Sequence, residues 1–393
     1  MNIPKLRFPE FKGEWEEKKL SDFMTRLTRK NLNNESSRAL TISSVDGLID
    51  QGEFFKKQIA SKDTSGYYLL KKGDFAYNKS YSVGYDYGSI KRLDRYEDGV
   101  VSTLYICMSL TSDTNSDYLT HYFDSMKWNK SVSEISTEGA RNHGLLNIPT
   151  ESFFQTKHFL APTLAEQQKI ADFLSNVDSI ITAETKILKT LQKKKKALMQ
   201  KLFTQQLRFK SDDGTDFPKW EEKKLGKCVE ILDSQRKPIE SKERANRKGE
   251  YPYYGASGII DYIDDYLFEG ESILLGEDGA NIINRNSRLA FIATGKYWVN
   301  NHAHIMKANA DNLNYFICEY LESLDYSKIC AGSAQPKLTQ DVIRNLTIKA
   351  PCKAEQQKIA DCLSSLDSLI QTQQKVVTAW QQRKKALLQQ MFV

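Results

Sequence analysis

Cysteine pairs are the first thing missing. Cys107, Cys228, Cys318, Cys330, Cys352 and Cys362 are scattered, and no two of them form a C-x-x-C pair. That spacing argues against a disulfide framework and a structural zinc, and it fits a reducing cytoplasm, the expected location. Apolar runs long enough to cross a bilayer are missing, and Met1-Asn-Ile-Pro-Lys5 lacks the core of a signal peptide, so no membrane association is expected. No strand-linked G-x-G-x-x-G or G-x-x-x-x-G-K-[ST] cradles a nucleotide phosphate. The tetrapeptides N-P-P-[FY] and D-P-P-[FY], with which amino-methyltransferases hold their target amine, are absent too. His302-Ala-His304 could present two imidazoles on one face of a strand, but a third ligand is lacking; a structural role fits better, and no metal is expected. Glu17-Lys-Lys19 and Glu221-Glu-Lys223 resemble a nuclease Glu-x-Lys, yet they lie in a mixed-charge block without an upstream Pro-Asp. No catalytic residue and no cofactor are therefore expected in this chain.

What is present is a repeat. Ala165-Glu-Gln-Gln-Lys-Ile-Ala-Asp172 returns letter for letter at Ala354–Asp361, and Trp15-Glu-Glu-Lys-Lys-Leu20 returns at Trp220–Leu225. Such repetition means two copies of one structural unit and a pseudo-twofold molecule. The offset between copies falls from 205 residues at Trp15/Trp220 to 189 at Ala165/Ala354, with Gly73/Gly270 at 197 and Gly139/Gly332 and Leu145/Leu338 at 193. A stepwise decline places the length differences in loops on a shared frame. The chain of 393 residues has room for two or three domains, and its net charge of +6 permits an anionic partner.

Behind each Ala-Glu-Gln-Gln-Lys-Ile runs a coiled-coil spacing of fours and threes. Ile170, Leu174, Val177, Ile181, Leu188 and Leu191 form one seam; Ile359, Leu363, Leu366, Ile370, Val377 and Trp380 form the other. Polar residues interrupt both at the same steps, Glu184/Gln373 and Lys195/Lys384. Neither stretch contains Gly or Pro, and Pro162 and Pro351 stand just before each start, so two helices of about 40 residues and roughly 60 Å are expected. Matched interruptions favour pairing within the chain, antiparallel, over a zipper between chains. The runs Lys193–Lys196 and Arg383-Lys-Lys385 read first as solvated helix ends, with phosphate contact second.

Residues 15–160 and 220–350 lack helix-length periodicity and show short β-like runs (Phe75–Tyr77, Val100–Leu110, Ser272–Leu275, Leu289–Ala293) and short helices at Ser116–Asn129 and Leu313–Leu324. The expected fold class is α+β: two mixed α/β domains, 1–160 and 207–350, joined by two long antiparallel coiled-coil helices at 161–206 and 351–393. Polar and aromatic loops follow the strands, and Arg, Lys, Asn, Gln and His are the side chains that read base edges and grip phosphates. The candidate DNA contacts are Lys79, Ser80, Tyr81, Arg141, Asn142 and His143 in the first arm. In the second they are Tyr254, Ser257, Asp278, Asn281, Gln335 and Lys337.

Taken together, the two Trp-Glu-Glu-Lys-Lys-Leu blocks, the Ala161-Pro162 and Ala350-Pro351 segments leading into Ala-Glu-Gln-Gln-Lys-Ile, the Lys-Lys-Ala-Leu helix ends and Gly332-Ser-Ala-Gln-Pro-Lys-Leu338 resemble the specificity (S) subunits of Type I restriction-modification systems. The resemblance spans nearly the whole chain, although Gly139–Leu145 lacks the Gln-Pro core of its counterpart. It implies a non-catalytic reader of double-stranded DNA. Each arm would be a target recognition domain for one part of a bipartite asymmetric sequence, and the helices would set the gap. Two methylation (M) subunits would dock, carrying S-adenosylmethionine, and restriction (R) subunits using ATP and Mg would join them. The alternatives are a coiled-coil protein-binding adaptor without DNA specificity, or a nuclease with an unrecognised site.

Overall fold

The structure, a computed structural model, describes residues 2–55, 61, 63–111, 113–136, 146–329 and 336–393. The chain divides into two compact units: Met1–Thr185 with Lys375–Val393, and Lys186–Gln374. Two long helices, Leu164–Phe203 and Lys353–Met391, run 40 and 39 residues. Each unit therefore contains the beginning of one and the end of the other.

The seam residues explain the pairing. Ile170, Leu174, Val177, Leu188, Ile359, Leu363 and Val377 are buried, and Ile181, Leu191, Leu366, Ile370 and Trp380 are half-buried. The lysines that interrupt both stripes meet acids of the facing helix. In the first unit Lys384 Nζ lies 2.6 Å from Asp178; in the second, Lys195 Nζ lies 2.7 Å from both oxygens of Asp367. Asp178 and Asp367 occupy the same position in the two repeats, so both bonds pin one antiparallel register.

The arms repeat one frame. A four-stranded antiparallel sheet in the first unit has the spatial order Met24–Arg26, Ile106–Leu110, Phe75–Asn78, Ser89–Arg92. Its counterpart has the order Val229–Ile231, Ala303–Ala308, Ser272–Gly276, Ala290–Ala293. Registers match as well: Phe75 faces Met108 as Ile273 faces Met306, and Tyr77 faces Ile106 as Leu275 faces His304. Gly73 and Gly270 precede the equivalent strands at φ +92° and +95°, a turn geometry that a side chain would strain. Helices Ser116–Asp124 and Asn314–Ser323 contribute to the larger core of each unit.

Two sequence expectations shift. The run Val100–Leu110 is broken by a turn, Tyr105 N–H to Ser102 C=O, because Asp98–Val101 pairs with Tyr68–Lys71 while Ile106–Leu110 enters the main sheet. The helix expected over Ser116–Asn129 stops at Asp124, with Met126 at φ +63°.

The two repeated blocks turn out to touch. Glu166, almost fully buried, accepts from Arg7 Nε (2.7 Å), Arg7 Nη2 (2.8 Å) and Trp15 Nε1 (3.2 Å). Glu355 accepts from Arg208 Nε (3.0 Å), Arg208 Nη2 (2.7 Å) and Trp220 Nε1 (3.1 Å). A planar guanidinium fits a carboxylate two-pronged, which is why Arg suits this buried place. Gln167 and Gln356 bond the backbone entering each helix through Ala161 C=O and Pro351 C=O, and each accepts a backbone N–H, from Asn115 and Leu313. One further join is duplicated: Leu207 N–H bonds Lys201 C=O, and Leu6 N–H bonds Gln390 C=O. Among the described residues no helix is long and apolar enough to cross a membrane.

Candidate nucleic-acid interface

In the second unit the main sheet ends in three neighbouring backbones. Glu277 N–H donates to His302 C=O at 2.9 Å, and Leu338 N–H donates to Glu277 C=O at 2.8 Å. Asp278 pairs with Lys337 as an isolated antiparallel bridge. This ladder brings Asp278, Lys337 and the turn Asn300-Asn301-His302 together, although they lie far apart in the chain. Lys337 Nζ reaches Glu277 at 3.3 Å, and Arg236 Nη1 bonds the same carboxylate at 2.9 Å. Ser257 is exposed in the hairpin between Lys248–Gly255 and Gly258–Ile263. That hairpin lies close to the same region, since a side chain on Gly276 would meet Ala256 C=O at 2.7 Å. A groove of about 660 Å³ opens beside it, lined by Ser241, Lys242, Arg244, Asn300, Asn301 and His302 among others.

The remaining candidates of this arm have other partners. The Tyr254 ring packs 5.8 Å from both Phe291 and Tyr297, and burial raises its hydroxyl pKa. The Asn281 amide bonds Ser287 on both sides, holding its own loop. Gln335 lies outside the described residues.

The two histidines separate. His304 is buried, with Nδ1 2.6 Å from Asp233 and Nε2 2.7 Å from Leu338 C=O. Burial would raise the Asp233 carboxyl, but the bond to His304 and its charge outweigh that and hold it below the usual range. His302 precedes the strand that starts at Ala303, and its imidazole is half exposed. The pair does not share a strand face, because His302 belongs to the turn.

In the first unit the corresponding sheet end carries different chemistry. The Lys79 backbone C=O accepts from Leu146 N–H, and partial burial lowers the Lys79 ammonium pKa. Ser80 N–H bonds Asn78 Oδ1, and Tyr81 is 55% exposed. Sequence reading missed the apolar residues beside these. Val45 and Val83 are 84% and 91% exposed, and their loops touch through Ser44 and Ser82. Leu104, in the turn before Ile106–Leu110, is 62% exposed. Arg141, Asn142 and His143 lie outside the described residues. Also missed was Leu6-Arg7-Phe8, repeated as Leu207-Arg208-Phe209, the short signal for the buried arginines.

Among the described residues no cluster of three or more His, Cys, Asp or Glu side chains is arranged to hold a metal. Duplicated helix ends and divergent turns in two copies of one frame are the features to set beside known proteins. Residues 218–379 match the family described as Type I restriction modification DNA specificity domain. The putative type I restriction enzyme specificity subunit S.HindORF215P of Haemophilus influenzae is 34% identical over 147 residues, a match spanning 37% of this chain and 37% of that relative. The Type I restriction enzyme MjaVIII specificity subunit of Methanocaldococcus jannaschii is 24% identical over 98% of this chain and 92% of its own length. The fold is similar to the crystal structure of a Type-I restriction-modification system S subunit from M. genitalium, with a TM-score of 0.59 at 15% identity over 100% and 99% of the two chains. Residues 218–379 thus carry the match to that family, and the chain as a whole is similar to specificity subunits of Type I restriction-modification systems.

Proposed function

We propose that this chain is the sequence-reading subunit of a Type I restriction-modification complex, in which each arm reads one part of a bipartite, asymmetric DNA target. The observation that carries this reading is the contrast at equivalent sheet ends. One strand register and one buried Glu–Arg–Trp bond set recur in both units, yet Lys79 stands in one arm where Glu277 stands in the other, and Leu104 where His302 stands. A shared frame with exchanged end groups is what two readers of different sequences require.

The long helices set the gap between the two readings and dock two methylation subunits. Support comes from apolar side chains left outside the seam: Phe173, Ile180 and Ile187, seven residues apart, are 37%, 37% and 47% exposed, and Leu369 is 55% exposed. Residues at this spacing form a second helical stripe. The methylation subunits supply S-adenosylmethionine, restriction subunits supply ATP and Mg chemistry, and this chain performs no catalytic step.

The test is genome-wide mapping of N6-methyladenine in cells producing this chain with and without a methylation subunit. A new split motif that needs both proteins is expected. An assembled complex that methylates no split motif would overturn the reading in favour of a protein-binding adaptor.

A further inference from the structure

His302 and Asp278 form a pair whose geometry exceeds what the fold needs. His302 Nδ1 lies 2.9 Å from Asp278 Oδ2 and 3.1 Å from Oδ1. A carboxylate only accepts, so the proton of that bond sits on Nδ1. Nε2 of the neutral ring is then a bare acceptor, and among the described residues no other hydrogen bond engages it. The imidazole is 51% exposed at the rim of the groove lined by Ser241, Lys242 and Asn301.

Both residues are held from behind. His302 N–H donates to Asn300 Oδ1 at 2.8 Å, and His302 C=O takes the Glu277 N–H. Asp278 follows Glu277 directly and is bridged to Lys337. Two backbones fixed to each other thus carry an acid and a base in fixed relation, and the imidazole is half exposed and lines the groove. Among the described residues nothing bonds that atom, in contrast to His304, both of whose nitrogens are occupied.

Resting on the DNA-reading function proposed above, we infer that His302 is a base-reading side chain of the second arm. Asp278 is its positioning residue, fixing the tautomer so that Nε2 accepts from an exocyclic amine in the major groove. Only adenine N6 and cytosine N4 offer such a donor there, so the pair reads an amine-bearing base at one position. The same turn of the first arm offers Leu104, an apolar group suited to the thymine methyl instead. Asp278 thereby changes role: a candidate base contact from sequence becomes the group that aims its neighbour.

The experiment uses the full chain with its methylation subunit and the same methylation map. His302→Ala should loosen the motif at one adenine or cytosine position of one half, raising methylation of sites altered there roughly tenfold, with the other half unchanged. Asp278→Ala should loosen the same position, and Asp278→Asn, whose amide oxygen still accepts from Nδ1–H, should restore it. Thermal melting of each variant checks folding independently. A motif unchanged in His302→Ala, or loosened equally in both halves, overturns the inference while the wild-type motif leaves the function standing. An Asp278→Ala map identical to wild type overturns the positioning role. Absence of any wild-type motif would instead remove the function on which the inference rests.

Discussion

The two units share a frame and differ in how they handle buried charge. Helices Ser116–Asp124 and Asn314–Ser323 occupy equivalent places, and His121 of the first stands where Glu319 stands in the second. Beside Glu319 the second unit assembles ions: Lys195 Nζ lies 2.7 Å from Glu319 Oε2, close in distance though not aligned as a hydrogen bond. Asp367 and Arg288 complete the group, and Tyr315 donates to Asp367. The first unit buries neutral rings. His121 Nε2 meets Ser175 Oγ at 3.1 Å, and His158 sits between Tyr122 OH and Thr156 Oγ1, each at 2.8 Å. One backbone plan can thus be filled by compensated charge or by uncharged hydrogen bonds, and each filling has its own vulnerability.

Removing a lysine should break the comparison most sharply. Lys195→Met leaves Glu319 and Asp367 with Arg288 as their one cation in that group, a negative charge in excess, and should cost about 3–5 kcal/mol, the penalty for an uncompensated buried charge. Lys384→Met should cost only about 1 kcal/mol, because Asp178 is 40% exposed and water screens it. Denaturant midpoints of the two variants measure the difference, and equal losses would contradict this account.

Acid should separate the units next. Burial pushes the His158 pKa down to about 3, and burial with the nearby Lys384 charge lowers that of His121. The unfolded chain protonates first, so this stabilisation is complete above the unfolded value near 6.5 and is lost as pH falls below it. By pH 4 the His158 contribution lost should be about 3 kcal/mol. The Asp233 carboxyl, held low by His304, contributes stability that is lost only as pH falls below the ordinary carboxyl value. Hydrogen exchange between pH 6.5 and 4 should therefore show the first unit opening ahead of the second.

A smaller effect is expected at the first arm's turn. Leu104→Ser should leave the melting temperature nearly unchanged, since Leu104 is exposed, and should loosen the motif half opposite to the one His302 affects by about 1 kcal/mol. Smallest of all, Glu16→Ala and Glu221→Ala should change neither stability nor motif measurably, because their lysine partners Lys18 and Lys223 lie on the surface.

Much of the frame was legible in sequence. Helix length, seam positions and the paired lysine interruptions all follow from 3.6-residue periodicity, which acts locally. Less legible was why Ala-Glu-Gln-Gln-Lys-Ile repeats: Glu166 and Glu355 answer Arg7 and Arg208, whose own repeat is three letters long. The candidate site was read only in outline. Asp278, His302 and Lys337 meet through strand register, which no spacing in the chain announces. His302 and His304 look equivalent until the strand is seen to begin between them. Tyr254 and Asn281 are polar loop-like residues by sequence, and their partners Phe291, Tyr297 and Ser287 appear only on folding.

The duplicated join at Leu6 and Leu207 carries a consequence in time. Leu207 N–H finds Lys201 C=O six residues away, whereas Leu6 N–H must find Gln390 C=O across almost the entire chain. The second unit is one continuous stretch, Lys186–Gln374, and the first requires Lys375–Val393 to close. Loop closure over such a separation costs entropy before any contact rewards it. During synthesis the second unit can complete its core while the first, although begun earlier, waits for the last half-helix to arrive. Two halves nearly alike in space are therefore unlike in their order of birth.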